Sequence, residues 1–160
     1  MTISKGDRLP EAVFGVMTAE GPTQMKTSDV FAGKTVALFA VPGAFTPTCS
    51  AKHLPGFVEK AAELKAKGVD QIACVSVNDV FVMDAWGKDQ GVGEDVVMLA
   101  DGNGDFAKAT GLTMDGSGFG MGVRSQRFSM LVKDGVVDLL NTEAPGDFRT
   151  SSAEHMLEQL

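Results

Sequence analysis

Apolar residues fall into short continuous runs and into stripes with helical spacing. Runs of this kind predict three buried strands, at residues 36–41, 71–77 and 96–100. Between the first two, apolar positions from Leu54 to Leu64 follow the i, i+3, i+4, i+7 pattern of an amphipathic helix that ends at Lys67-Gly68. This alternation of buried strands and helices indicates an α/β fold.

The second half of the chain predicts two short helices and a hairpin. Asn78-Asp79 are expected to cap a helix that reaches Lys88, and residues 105–110 form another helix. Asp134-Gly135 between two apolar runs predicts a β-hairpin, with strands at 127–132 and 136–140. The glycine-rich stretch from Gly111 to Gly122 is expected to be a surface loop.

A capping-box pattern predicts the start of the last helix. Ser151-Ser152-Ala153-Glu154 precedes helix-spaced apolar residues, and Ser151 is taken as the cap. The order of elements predicts a central mixed β-sheet flanked by helices, in a single domain that spans residues 1–160.

Composition narrows the functional classes. The chain has 160 residues, 44% hydrophobic and 22% charged, and a net charge of −7. Binding along nucleic-acid phosphates is not expected, because it needs clustered lysine and arginine. No apolar run reaches the roughly 18 residues of a membrane helix. Two cysteines and the lack of an N-terminal signal pattern favour a reducing, cytoplasmic location, with an organelle form after presequence removal as the alternative.

Cys49 is the most informative residue. The strand at 36–41 ends at Pro42, and Thr46-Pro47 then has the pattern of a helix start, with threonine as N-cap and proline first in the helix. Cys49 would be the third helical residue, where free backbone N–H groups and the helix dipole favour an anion. A thiol placed there is expected to ionise more readily than a free one and to act as a nucleophile.

Longer motifs around these residues resemble a known family. Pro42-x-x-x-Thr46-x-x-Cys49 followed by Ser50-Ala51-Lys52-His53-Leu54-Pro55-Gly56-Phe57 is similar to the active-site segment of peroxiredoxins, and more narrowly of the atypical type-II (five-type) subfamily. Matches continue through Ala73–Asp79, Phe81–Met83 with Trp86, and Arg124–Met130. The resemblance covers nearly the whole chain and implies a thioredoxin-like fold.

The resemblance also implies roles for individual residues. Cys49 would be the peroxidatic cysteine, which peroxide oxidises to a sulfenic acid. Thr46 would offer its hydroxyl to the thiolate or the peroxide, Pro42 would shield the sulfenic acid, and Arg127 would place a cation beside the sulfur. Four further residues are expected to support the substrate pocket: Arg124, His53, Phe45 and Gly43.

Each of these residues has a purely structural alternative. Cys49 could be an inert buried thiol, and Thr46 could serve only as a helix cap. Pro42 could simply end a strand, and Arg127 could be a solvated residue at a strand start. Arg124 is expected to support Arg127 or the neighbouring loop.

Structural roles are expected for two other side chains, His53 and Cys74. His53 is expected to form a local hydrogen bond or to shape the pocket. Cys74, in the middle of a strand, is expected to be a small buried hydrophobe.

The way in which the enzyme is recycled is inferred from a missing cysteine. Family members with an internal disulfide carry the resolving cysteine just before the last helix, where this chain has Arg149-Thr150-Ser151-Ser152. A one-cysteine cycle is therefore expected, with reduction by glutathione and glutaredoxin first and thioredoxin second. No metal, flavin or haem is expected.

The resemblance implies a thiol peroxidase that reduces hydrogen peroxide and alkyl hydroperoxides, forms a homodimer and serves antioxidant defence and redox homeostasis. A peroxide sensor, redox relay or holdase is the first alternative. A thioredoxin-type disulfide oxidoreductase is the second, although Thr46 occupies the place of the first cysteine in Cys-x-x-Cys.

Overall fold

A computed structural model describes residues 2–160. In these residues the strands are β1 (Val13–Thr18), β2 (Gly21–Lys26), β3 (Thr35–Ala40), β4 (Gln71–Ser76), β5 (Val97–Ala100), β6 (Thr113–Asp115), β7 (Val123–Ser125), β8 (Phe128–Lys133) and β9 (Val136–Thr142). The α-helices are α1 (Thr27–Phe31), α2 (Leu54–Glu59), α3 (Ala61–Ala66), α4 (Val80–Asp89), α5 (Asp105–Thr110) and α6 (Ala153–Gln159). A π-helical turn, Cys49–His53, precedes α2, and a 3₁₀ turn lies at Ser117–Phe119.

The central sheet has seven strands in the order β2-β1-β5-β4-β3-β8-β9. Strands β3, β4 and β5 are parallel, whereas β1, β8 and their outer neighbours pair antiparallel. Strands β6 and β7 form a separate antiparallel pair. The sheet is therefore mixed, and the expected thioredoxin-like fold with flanking helices is confirmed.

Each face of the sheet carries one apolar cluster. The cluster on one face contains Cys49, Phe57 and Trp86, together with residues of α3 and α6. On the other face, Phe31 of α1 and Phe106 of α5 cover the sheet. Because both faces are covered, the central strands are buried almost throughout, which explains their continuous apolar sequences.

Several boundaries differ from the sequence prediction. The helix expected from Leu54 to Leu64 is interrupted at Lys60, whose φ and ψ of −95° and 6° separate α2 from α3. Only Asp79 caps α4, by accepting a hydrogen bond from the Val82 N–H. The cap of α6 is Ser152, not Ser151, since the Ser152 hydroxyl accepts from the His155 N–H.

The strand arrangement brings the candidate residues to one edge of the sheet. The carboxyl ends of parallel β3 and β4 lie together, and Cys49 follows β3 by a short turn. Strand β8 is antiparallel to β3, with Phe128 opposite Ala40, so Arg127 precedes β8 at this same edge. Among residues 2–160, no helix is long and apolar enough to cross a bilayer.

Candidate active site

The helix that carries Cys49 starts at the predicted position, but the Thr46 hydroxyl, which was expected to cap it, hydrogen-bonds to the preceding turn. Helical backbone begins at Pro47, and the Ser50 N–H donates to the Thr46 carbonyl over 3.0 Å. The Thr46 hydroxyl donates backwards to the Gly43 carbonyl over 2.7 Å and so closes the turn. Cys49 therefore lies in the first helical turn, as predicted, and its side chain is completely buried.

The backbone at Cys49 is π-helical. The Leu54 N–H donates to the Cys49 carbonyl five residues earlier, which widens the turn relative to an α-helix. Cys49 and His53 mark the two ends of this turn, and both point into the protein interior. Single π-helical turns of this kind are common at functional sites.

Arg127 lies directly against the sulfur. Its Nη2 donates to Cys49 Sγ over 3.1 Å, and its Nη1 lies 2.8 Å from His53 Nδ1. The guanidinium also faces the ring of Phe148, with Cζ 5.8 Å from the ring centroid. A permanent cation held on three sides stabilises a thiolate, or any negative oxygen that develops beside it.

His53 orients this arginine and does not act as a local hydrogen-bonding residue. Its Nε2 lies 2.9 Å from the Ser151 carbonyl, which can only accept, so this nitrogen carries the proton. Nδ1 is then free to accept from Arg127, which can only donate. Burial and the neighbouring Arg127 cation lower the pKa of His53 to about 3, so the ring is neutral and both hydrogen bonds are satisfied.

The turn at residues 42–45 is anchored by two residues that the sequence analysis did not assign to the site. Asn78 Oδ1 accepts from the Ala44 N–H over 3.0 Å, and the Ser76 hydroxyl lies within hydrogen-bond distance of Asn78 Oδ1 and the Val41 carbonyl. Ser76 ends the buried parallel strand β4 and Asn78 follows it, at the edge where such sheets place functional groups. Asn78 thus holds the turn and does not cap α4.

Phe45 belongs to the same turn and has an unusual backbone. Its φ of 64° is in the left-handed region, which bulky residues rarely occupy. The ring is half exposed and lies 6.5 Å from the Trp86 ring. Pro42, directly after Val41, is partly buried, and its shielding role remains a prediction.

Gly43 and Arg124 connect the turn with the loop 116–122. A Cβ at Gly43 would lie 3.1 Å from both Met121 Cε and Thr46 Cγ2, so glycine permits close packing here. Arg124 donates to the carbonyls of Met121 and Val77 over 2.8 and 3.0 Å. Of the two expected alternatives, these contacts fit support of the loop.

Cys74 lies in the same apolar cluster as Cys49. Burial, with a further contribution from Cys49, raises the pKa of its thiol well above the usual value. Both cysteines are free thiols. A protonated, fully buried thiol is a poor nucleophile, which fits the expected role of Cys74 as a small core residue.

Potential metal ligands are not clustered. Among residues 2–160, no three His, Cys, Asp or Glu side chains lie close enough to hold an ion. The site itself combines a buried thiol, a cation beside it and a neutral imidazole that holds the cation.

A thioredoxin-like sheet with a buried cysteine in a first helical turn, beneath an arginine, defines a cysteine-dependent redox protein. The family model that matches residues 4–157 is Redoxin. The chain is 56% identical over 164 residues to peroxiredoxin-2E-2, chloroplastic, of rice, covering 99% of this chain and 73% of the relative. It is 48% identical over 161 residues to peroxiredoxin-2B of Arabidopsis thaliana, covering 99% and 98%.

Solved structures agree with these relatives. Reduced Prx3 of Vibrio vulnificus, in complex with hydrogen peroxide, is 54% identical and superposes with a TM-score of 0.95, with 99% of each chain covered. The chain belongs to the Redoxin family and is a peroxiredoxin, a thiol-dependent peroxidase. The type-II resemblance predicted from the sequence is consistent with these relatives.

Proposed function

We propose that Cys49 is the peroxidatic cysteine of a one-cysteine peroxidase for hydrogen peroxide and alkyl hydroperoxides, with Arg127 as its activating cation. The observation that carries this proposal is the 3.1 Å hydrogen bond from Arg127 Nη2 to Cys49 Sγ. A permanent cation at this distance stabilises the negative charge that the reaction moves from the sulfur to the peroxide oxygen.

The oxidative step transfers two electrons from sulfur to the peroxide. The Cys49 thiolate attacks one peroxide oxygen, an S–O bond forms, and the O–O bond breaks. The other oxygen leaves as alkoxide or hydroxide and takes up a proton to become an alcohol or water, while Cys49 becomes a sulfenic acid. Arg127 stabilises the negative charge that moves from the sulfur to the leaving oxygen.

Thr46 and Pro42 complete the proposed substrate site. The Thr46 hydroxyl donates its only proton to the Gly43 carbonyl in a hydrogen bond. Its oxygen lone pairs can therefore accept a hydrogen bond from a bound hydroperoxide. This favours one of the two expected roles, contact with the peroxide. Pro42, which has no backbone N–H, is proposed to shield the sulfenic acid from further oxidation.

The sulfenic acid is reduced by a thiol from outside the chain. That thiol attacks the sulfur, releases water and leaves a mixed disulfide, which a second thiol resolves. The segment in which an internal resolving cysteine is expected, Arg149-Thr150-Ser151-Ser152, contains no cysteine, and the hydroxyl of its Ser151 donates to Glu143. Cys74 is disfavoured as a substitute because its thiol is buried and the pKa of that thiol is raised.

A mass-spectrometric trapping experiment tests this cycle. The reduced protein is treated with one equivalent of hydrogen peroxide in the presence of a sulfenic-acid reagent, and its peptides are then analysed. The proposal expects an adduct on Cys49 alone. A Cys49–Cys74 disulfide would contradict the one-cysteine cycle, and the absence of modification at either residue would contradict the peroxidatic role of Cys49.

Glutathione with glutaredoxin is proposed as the first reductant and thioredoxin as the second. The missing resolving cysteine supports this order, because a mixed disulfide with glutathione is a natural substrate for glutaredoxin. Steady-state peroxide consumption with each system at matched concentrations distinguishes them. Turnover with thioredoxin alone would reverse the order.

A homodimer is proposed on the basis of exposed aromatic side chains around the site. Phe45, Phe81 and Phe119 are 52%, 64% and 86% exposed, and they lie on the turn before Cys49, at the start of α4 and in the loop that contacts Gly43. Large apolar side chains left exposed in this way fit contact with a second copy of the chain. Phe119→Ser is expected to yield monomers in sedimentation experiments, whereas Val13→Ser, which alters an exposed apolar residue on β1, should not.

A reducing compartment is proposed because both cysteines are free. The name of the rice relative assigns that protein to the chloroplast, so it does not favour the cytoplasm over an organelle for this chain. Imaging of the tagged protein in its own cell distinguishes the two locations.

A further inference from the structure

A buried carboxylate, Glu143, lies behind the active site and has no part in the chemistry described so far. It follows β9 directly and is only 9% exposed. Burial opposes its ionisation, but hydrogen bonds from Ser151 and Arg149 outweigh this effect and lower the pKa of the carboxyl. A buried, ionised side chain that accepts several hydrogen bonds organises the groups that donate to it.

The donors to Glu143 all belong to the segment before α6. Its Oε2 accepts from the Arg149 N–H, the Ser151 N–H over 2.9 Å and the Ser151 hydroxyl over 2.7 Å. The Thr150 hydroxyl lies 3.4 Å from Oε1. One carboxylate thus fixes three successive residues of a stretch that has no helix or strand hydrogen bonds of its own.

The same segment holds Arg127 in place. The Ser151 carbonyl receives the His53 Nε2–H, and His53 Nδ1 accepts from Arg127. Phe148, just before the residues fixed by Glu143, lies against both the His53 ring and the Arg127 guanidinium. Two of the three contacts that orient Arg127 therefore depend on where residues 148–151 lie.

The backbone closes this network into a ring. The Glu143 N–H donates to the Arg127 carbonyl over 3.1 Å, continuing the pairing of β8 with β9. Beginning at the Arg127 backbone, the connection passes through Glu143, Ser151 and His53 and returns to the Arg127 guanidinium. A side chain held in such a ring loses little freedom when it binds a charged partner.

We propose that Glu143 is a positioning residue for the peroxidase reaction: by fixing residues 149–151, and so the place of the adjoining Phe148, it aims the Arg127 guanidinium at Cys49. This inference rests on the proposed role of Arg127. Glu143 acts through hydrogen bonds to Oε2, so a neutral side chain with an oxygen at the same place should preserve much of its effect. A side chain without that oxygen should release the segment.

The test uses graded variants of Glu143 and an acidic control. Glu143→Ala is expected to lower the rate constant of Cys49 oxidation by hydrogen peroxide about tenfold. Glu143→Gln, which keeps an oxygen to accept these hydrogen bonds, should recover most of this loss. Glu158→Gln, an exposed substitution on α6, should leave the rate constant unchanged. Quenched-flow mass spectrometry measures the rate constant for each variant.

A double variant separates positioning from a general loss of stability. If Glu143 acts through Arg127, Glu143→Ala should slow oxidation no further once Arg127→Gln is present. Equal oxidation rates for Glu143→Ala and the wild type, or independent losses in the double variant, would overturn the inference. If Glu143→Ala fails to fold, Ser151→Ala, which removes one of the Oε2 donors, should give a smaller rate loss that also vanishes in the Arg127→Gln background; an unchanged rate would overturn the inference. No effect of Arg127→Gln alone would instead refute the proposed function.

Discussion

Arg127 Nη2 and Cys49 Sγ are 3.1 Å apart although 78 positions separate the two residues in the chain. Pairing of β8 with β3 creates this proximity, because Phe128 lies opposite Ala40 and the turn to Cys49 follows β3. The contact joins the first and second halves of the fold. Activity should therefore depend on the integrity of the central sheet as well as on the helix that carries the thiol.

Replacement of the two cysteines should separate reactivity from packing. Cys49→Ser is expected to abolish peroxide consumption, since an alcohol is not ionised at neutral pH. Cys74→Ala should retain turnover and lose some stability, because it leaves a small cavity at a fully buried position. Coupled peroxidase assays and urea unfolding measure the two effects; loss of turnover in Cys74→Ala at full occupancy of the folded state would contradict this view.

Removal of the Arg127 cation should slow oxidation strongly. Arg127→Gln is expected to reduce the rate constant with hydrogen peroxide by about a hundredfold or more, because a charged donor beside the reacting atoms is lost. Arg8→Gln is the matched control, since Arg8 is exposed and binds the Asp134 carbonyl in the distant hairpin. A normal rate for Arg127→Gln at neutral pH would rule out the proposed role.

A single methyl group at Gly43 should disturb the substrate site. The new Cβ of Gly43→Ala would lie 3.1 Å from Thr46 Cγ2, and a β-branched side chain has few rotamers with which to avoid it. We expect peroxide reduction to fall about tenfold with a small change in stability. Gly118→Ala adds the same methyl group where no atom lies within 4 Å, and it should behave like the wild type.

His53 should make stability depend on pH. An unfolded histidine binds a proton near pH 6.5, whereas the pKa of His53 in the folded chain is lowered to about 3. Between these values the unfolded state binds more protons, so the free energy of unfolding falls as the pH falls. The slope from this one group reaches about 1.4 kcal/mol per pH unit.

The variant His53→Gln isolates this contribution. Glutamine offers an acceptor to Arg127 and a donor to Ser151, but it does not titrate. Urea unfolding between about pH 5 and pH 6.5, above the main carboxylate range, should show a shallower pH dependence for the variant than for the wild type. Equal slopes would mean that His53 is protonated in the folded protein.

Sequence patterns predicted the central strands of the sheet, which helices cover on both faces. The runs that became β3, β4 and β5 are apolar because both faces of the sheet are covered, and α5 was predicted at its observed bounds. The edge strand β2 was missed, since its residues are mostly exposed and Pro22 interrupts the pattern. The break at Lys60 was also invisible, because the apolar stripe continues across it.

The position of the Cys49 thiol at a helix start could be predicted, but the residues that surround it could not. Cys49 and Thr46 lie within one local motif, so spacing alone indicated a helix start. Asn78, Glu143 and Ser151 act through hydrogen bonds to residues elsewhere in the sequence. In the sequence alone, Asn78 and Ser151 fitted the pattern of helix caps, so nothing pointed to these other contacts. A polar residue soon after the buried strand β4 was the available signal for Asn78, whereas Glu143 follows β9, which is only partly buried.

Trp86, the single tryptophan of the chain, donates its indole Nε1–H to the hydroxyl of Ser50, the residue after Cys49. The ring is completely buried, so its emission reports on its immediate surroundings. Oxidation or disulfide formation at the neighbouring sulfur changes the local field that the indole experiences. The protein therefore carries its own optical probe, and rapid mixing with peroxide or with a reductant should resolve each half of the cycle as a change in fluorescence, without any label.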